Sequence, residues 1–103
     1  MTIDDATIDL RACAVRVPPH VVYRPFVTET VVLNLDTGLY HGLSPVGGRM
    51  LEALERSPTV EDAVVAIAAE YDRSVDDVRP DVTEFCHDLA ERGLVTIHGL
   101  ATG

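Results

Sequence analysis

Cys86, His87 and Asp88 follow one another in the chain, and they are the residue types of a nucleophile, a base and an orienting acid. A hydrolytic triad needs such groups to converge within hydrogen-bond reach. These three fall in a helical pattern, where adjacent positions point in different directions. They cannot form a triad among themselves. The histidines His20, His41, His87 and His98 are scattered, and no H-E-x-x-H pair is present. The run DRSVDD (72–77) lacks the acidic and glycine spacing of a calcium loop. Glu70, Asp72 and Asp76 read more simply as exposed residues beside a helix start. Ser44-Pro45-Val46-Gly47-Gly48-Arg49 sits where a phosphate loop would, between a strand and a helix. It has neither G-x-x-x-x-G-K nor G-x-G-x-x-G, so close packing accounts for its glycines better. The sequence therefore gives no catalytic residue, metal or cofactor to expect, and argues against an enzyme.

Cys13 and Cys86 are the only cysteines, without C-x-x-C spacing. The start MTIDDATIDL has no basic leader with an apolar stretch behind it. Free thiols in a reducing interior are expected, and with them a cytoplasmic location. No apolar run approaches the length needed to span a membrane. The 17 acidic residues outnumber the eight basic ones, all arginine, for a formal net charge of −9. That balance repels nucleic acid and anionic membranes. It serves solubility, attraction of a basic partner, or both.

These residues must be positioned by a small fold. The 103 residues fit one domain. Val21 to Tyr23 reads as a first short strand, with Pro18 and Pro19 at its boundary. In Glu29 to Leu35, Val31, Leu33 and Leu35 share one face, while Asn34 and Asp36 fall on the other. Asp36-Thr37-Gly38 is a tight turn, and Leu39 to Leu43 returns as a partner strand. Ser44 caps a first helix with Pro45 at its first position, running to about Arg56, with Val46, Met50, Leu51 and Leu54 as its stripe. Gly47 and Gly48 either weaken its first turn or allow close approach to the hairpin. Thr59 with Asp62 starts a second helix carrying Val60, Ala63, Val64, Ile67, Ala68 and Tyr71. Ser74 with Asp77 starts a third, with Val75, Val78, Val82, Phe85 and Leu89 on one side. Pro80 is expected to bend it or to delay its start to about Val78 or Arg79. Gly93 ends it. Leu94 to Ile97 is a last strand or a packed tail.

The expected fold is α+β: three short N-terminal antiparallel strands followed by three helices, winged helix-turn-helix-like. Residues 1–14 read as a flexible N-terminus, 15–98 as the domain and 99–103 as a tail. Such an outline permits DNA binding, but a recognition helix should offer cations and amides. The exposed side of the third helix offers Asp76, Asp77, Asp81, Glu84, Asp88 and Glu91. From Ser44 to Arg92, twelve acids face five arginines. The charges argue against nucleic acid.

Protein or peptide binding remains. A strand edge beside a helix can take an extended peptide as a further strand. Leu39, Tyr40, His41 and Leu43 can supply the strand side, and Val78, Val82, Phe85, Cys86 and Leu89 the helix side. A helical stripe alone does not separate groove from core, so Leu43, Phe85 and Leu89 fit both. An exposed edge also leaves pairing of two copies open.

Several pieces then fall in a familiar order: VVLNLDTGLYHGLSPVGGRMLEAL, a T-x-E-D-A-V start, A-x-E-Y-D, and F-x-x-x-L-x-x-R-G-L-V from Phe85 to Val95. Residues Val31 to Val95 resemble the PqqD-like family, small peptide chaperones that recognise precursor peptides of ribosomally made, modified peptides. The resemblance implies a non-catalytic domain that binds a precursor's leader segment and delivers it to a peptide-modifying enzyme or leader peptidase. It implies that the leader adds antiparallel to the third strand and packs on the third helix. The site is then Leu39, Tyr40, His41, Gly42 and Leu43, with Val78, Val82, Phe85, Cys86 and Leu89 as the helix wall. Asp81, Glu84 and Asp88 would meet basic leader residues. The family often has two aromatics after the turn glycine and Asn before the first helix. Here those positions hold Tyr40-His41 and Ser44, which leaves the role of His41 open. The competing reading is a regulatory or structural domain that binds folded protein.

Overall fold

Asn34 closes a tight turn with its own side chain. Its side-chain oxygen accepts from the N–H groups of Asp36 (2.9 Å) and Thr37 (3.3 Å), and its carbonyl accepts from Gly38 N–H (2.8 Å). Gly38 takes φ +74°, a conformation that glycine adopts without steric cost. This turn joins β3 (Thr30–Asn34) to β4 (Tyr40–Leu43). The structure, a computed structural model, describes residues 10–99; expectations for residues 1–9 and 100–103 lie outside them.

Strand β2 (Val21–Pro25) pairs antiparallel with β3, giving a three-stranded sheet of order β2-β3-β4. Three helices follow: α1 (Pro45–Arg56), α2 (Val60–Glu70) and α3 (Val75–Glu91). Leu10–Ala12 forms a 3₁₀ turn, and β1 (Ala14–Arg16) pairs with β5 (Thr96–His98) in a separate two-stranded sheet. That pair joins the two ends of the described chain. Leu94 and Val95 pack into the core just ahead of β5.

The caps are where the sequence places them. Ser44, Thr59 and Ser74 accept from the N–H groups of Gly47, Asp62 and Asp77. One alternative needs correction. Helix α3 starts at Val75, so Pro80 lies inside it and does not delay its start. Proline removes one backbone donor, and the cap at Ser74 supports the turns before it. In β3, of the two faces the sequence defines, the one with Thr30, Val32 and Asn34 is buried, and Val31 and Leu33 lie on the other. Val32 is fully buried at the centre of the buried face, while the Asn34 amide is satisfied by its own turn.

The core lies between the inner sheet face and the helices, with Leu51, Leu54, Val60, Val64, Val82 and Leu89 among its members. Gly48 lets α1 approach β3 closely. A Cβ there would stand 2.1 Å from Thr30 Oγ1. Close approach, rather than a weak first turn alone, is why the glycine is there.

Candidate functional site

The site begins with the outer edge of β4, which no other strand pairs among the described residues. In an antiparallel pair, residues alternate between hydrogen-bonded and non-hydrogen-bonded positions. Leu35 N–H bonds His20 and Phe26 N–H bonds the Glu29 carbonyl on the β2 side, whereas Asn34 N–H bonds the Leu39 carbonyl on the β4 side. Counting along the register, Thr30, Val32 and Asn34 face β4, and their partners Leu43, His41 and Leu39 face back. The backbone groups of Tyr40 and Gly42 therefore point away from β3, toward the open edge.

Side chains of β4 alternate as well. His41 pairs with fully buried Val32 and shares its face, as does buried Leu43. His41 thus lies half-buried on the helix side of the edge strand. Tyr40 points to the outer sheet face and is 72% exposed. Leu39 lies in the turn just before β4 and is also exposed.

Helix α3 supplies the other wall. Phe85 is half-buried, and its ring atom Cε1 would lie 3.5 Å from a Cβ placed on Gly47. The same Cβ would lie 3.4 Å from Leu43 Cβ, so strand end, α1 start and α3 meet here. A groove of about 450 Å³ runs from this junction along α3, with Met50 and Phe85 as its apolar floor and Asp81, Glu84, His87, Asp88 and Glu91 on its rim. A second cleft of about 330 Å³ continues past Met50 and Asp81 toward Val46, Ile67, Tyr71 and Val78.

The expected helix wall divides in two. Phe85 and Asp81 line the groove. Val82, Cys86 and Leu89 are fully buried and back the wall from the core, and Val78 is buried except where it lines the second cleft. Burial pushes the Cys86 thiol up to about 12, which leaves it protonated and unreactive at neutral pH. The sequence reading missed Met50 and Val46 as groove residues. Their helical spacing was the signal, but it reads equally as core.

The exposed face of α3 holds the expected acids, and its arginines are engaged. Arg79 binds Glu61 and Asp76, which raises its already high pKa, and Arg92 pairs with Asp88. Among the described residues no group of three or more histidine, cysteine or carboxylate side chains converges as a metal site. On the outer sheet face, Val22, Phe26, Val31, Leu33 and Tyr40 line an exposed apolar cleft of about 270 Å³.

An edge strand with backbone groups that β3 does not use, ending beside a groove walled by a helix, is the arrangement of a peptide-recognition domain. The family model "Coenzyme PQQ synthesis protein D (PqqD)" matches residues 29–95, and the chain belongs to the PqqD family, which is non-catalytic. The solved structure described as "TbiB1 in Complex with the TbiA(beta) Leader Peptide" is similar at TM-score 0.70 and 36% identity, covering 84% of this chain and 98% of that one. A second, "Lasso peptide synthetase B1 complexed with the leader peptide", shares the fold at TM-score 0.70 and 20% identity, over 80% and 96% of the two chains. No curated protein matches this chain.

Proposed function

We propose that this chain binds the leader segment of a ribosomally made precursor peptide as a strand added to β4, and presents it to a modifying enzyme or leader peptidase. The observation that carries this is the outer edge of β4, where Tyr40 and Gly42 offer backbone groups that β3 does not use, in a strand whose end at Leu43 meets Phe85 of the groove across Gly47. Alternate side chains of an added strand would point to the helix side, beside His41, Leu43 and Phe85. The leader peptide held by the TbiB1 relative supports the choice of ligand. The outer sheet face supports presentation. Its apolar cleft meets the edge strand at Tyr40, so an enzyme docked there would lie next to the bound peptide.

Gly42→Pro tests the strand-addition step. Proline removes an N–H that faces the open edge and not β3, so the sheet keeps its ladder. A Cβ at this position meets only the Glu29 carboxylate end, 2.9 Å away, which can swing aside, and the matching Gly42→Ala variant controls for it. Calorimetric titration with the leader segment encoded beside this chain's gene should show tight binding to the unaltered protein and to Gly42→Ala. Binding to Gly42→Pro should fall at least about tenfold, from the lost bond and the ring's intrusion on the incoming strand. An unchanged circular dichroism spectrum confirms the fold. Equal binding by Gly42→Pro would defeat strand addition on β4.

A further inference from the structure

The carboxylates of this acidic chain are not all alike. Away from the groove, Glu52, Glu61, Glu70 and Asp76 each pair with Arg49 or Arg79. On the groove rim, Asp81 faces Arg73 and Asp88 faces Arg92, both at 3.4 Å. The other two rim acids, Glu84 and Glu91, are exposed and have no ion-pair partner among the described residues. They stand on either side of Phe85 and Asp88 on one helical stripe, over the apolar floor of Phe85 and Met50. The groove thus combines an apolar floor with a rim of four acids and His87, in which Glu84 and Glu91 have no cationic partner among the described residues.

We infer that the groove selects leader segments in which an apolar side chain, seated on Met50 and Phe85, is flanked by lysine or arginine that reaches Glu84 and Glu91. This rests on the strand-addition reading and specifies the chemistry of its ligand. An apolar peptide without cations would fill the floor and leave both carboxylates unmatched. An acidic peptide would be repelled by all four rim acids. A cationic flank satisfies Glu84 and Glu91 and gains further from Asp81 and Asp88, whose arginine partners sit at the outer limit of hydrogen-bond distance. The net charge of −9 adds long-range attraction for the same ligand.

The test is a charge exchange. The double variant Glu84→Lys/Glu91→Lys is titrated with the leader encoded beside the gene and with a copy in which its lysines and arginines are replaced by glutamate. Both positions are exposed, so the variant should fold, as circular dichroism will show. The expected result has four parts. The natural leader binds the unaltered protein, and binds the double variant roughly tenfold more weakly at low salt. The glutamate copy shows the reverse preference, and affinity for the natural leader falls as salt rises. If the leader binds through β4 but its affinity ignores both charge reversal and salt, the charge inference fails and strand addition stands. The same holds if the natural leader proves to lack cations near its strand-forming segment. If no leader binds the unaltered protein, both fail.

Discussion

Gly48→Ala should destabilise the domain, although alanine is the better helix former. The new Cβ would lie 2.1 Å from Thr30 Oγ1 and 2.8 Å from Thr30 Cβ. Turning the Thr30 side chain relieves the first contact and not the second, because Cβ does not move with χ1. Thr30 is buried and held in β3 between two neighbouring strands, so it cannot withdraw alone. Either α1 lifts from the sheet or the sheet shifts. Overpacking of this kind costs about 1–3 kcal/mol. The 2.8 Å contact that no rotamer relieves puts the cost at the upper end of that range, and helix propensity returns up to about 1 kcal/mol, leaving a net loss of about 2 kcal/mol. Gly47→Ala is the matched control: it gains the same propensity, and its nearest contacts are 3.3–3.5 Å. It should stay within about 1 kcal/mol of the unaltered protein. Urea unfolding should show a lower midpoint with unchanged slope for Gly48→Ala only. In a Thr30→Ala background, the cost should shrink. If Gly48→Ala is as stable as the unaltered protein, or Gly47→Ala is the worse variant, the close approach of α1 to β3 is refuted.

Other outcomes follow from the same packing. Ser44→Ala removes the 3.0 Å cap bond to Gly47 N–H and should cost about 1 kcal/mol in urea unfolding. Cys86 should resist iodoacetamide at pH 8 in the folded protein and react once urea unfolds it, as mass spectrometry will show; native-state labelling would contradict its burial. The Tyr23 phenol is pushed up to about 12 by its burial and by the hydrogen bond it donates to Glu55. Its folded-state value lies above the unfolded value of 10, so its contribution is complete below pH 10 and is lost as pH rises toward 12. Tyr23→Phe should therefore lose about 1 kcal/mol near pH 7 and flatten the alkaline decline, read from urea midpoints at pH 8 and 11.

Local signals were legible in the sequence. Three caps, the Asp36-Thr37-Gly38 turn and the helical stripes place β3, β4 and all three helices, because each depends on neighbours within a few residues. The β1–β5 pair was not legible, since it joins Ala14 to His98 and three-residue strands carry little period. The two faces of β3 were legible but the buried one was not, because period two marks which residues share a face, and not which face meets the helices. Val31 and Leu33 instead extend the apolar outer face. At the site, family resemblance indicated β4 and α3. Only the structure separates Phe85, at the groove surface, from Cys86 and Leu89 behind it, and assigns His41 to the helix side.

The central claim is that a leader peptide pairs with the outer edge of β4. The most direct measurement is amide exchange, residue by residue, in labelled protein with and without saturating leader. The account predicts new protection at Tyr40 and Gly42, whose amides face the open edge. It also predicts little change at His41 and Leu43, which already bond β3. Saturating leader that leaves Tyr40 and Gly42 exchanging as before, and protects other residues instead, would contradict it.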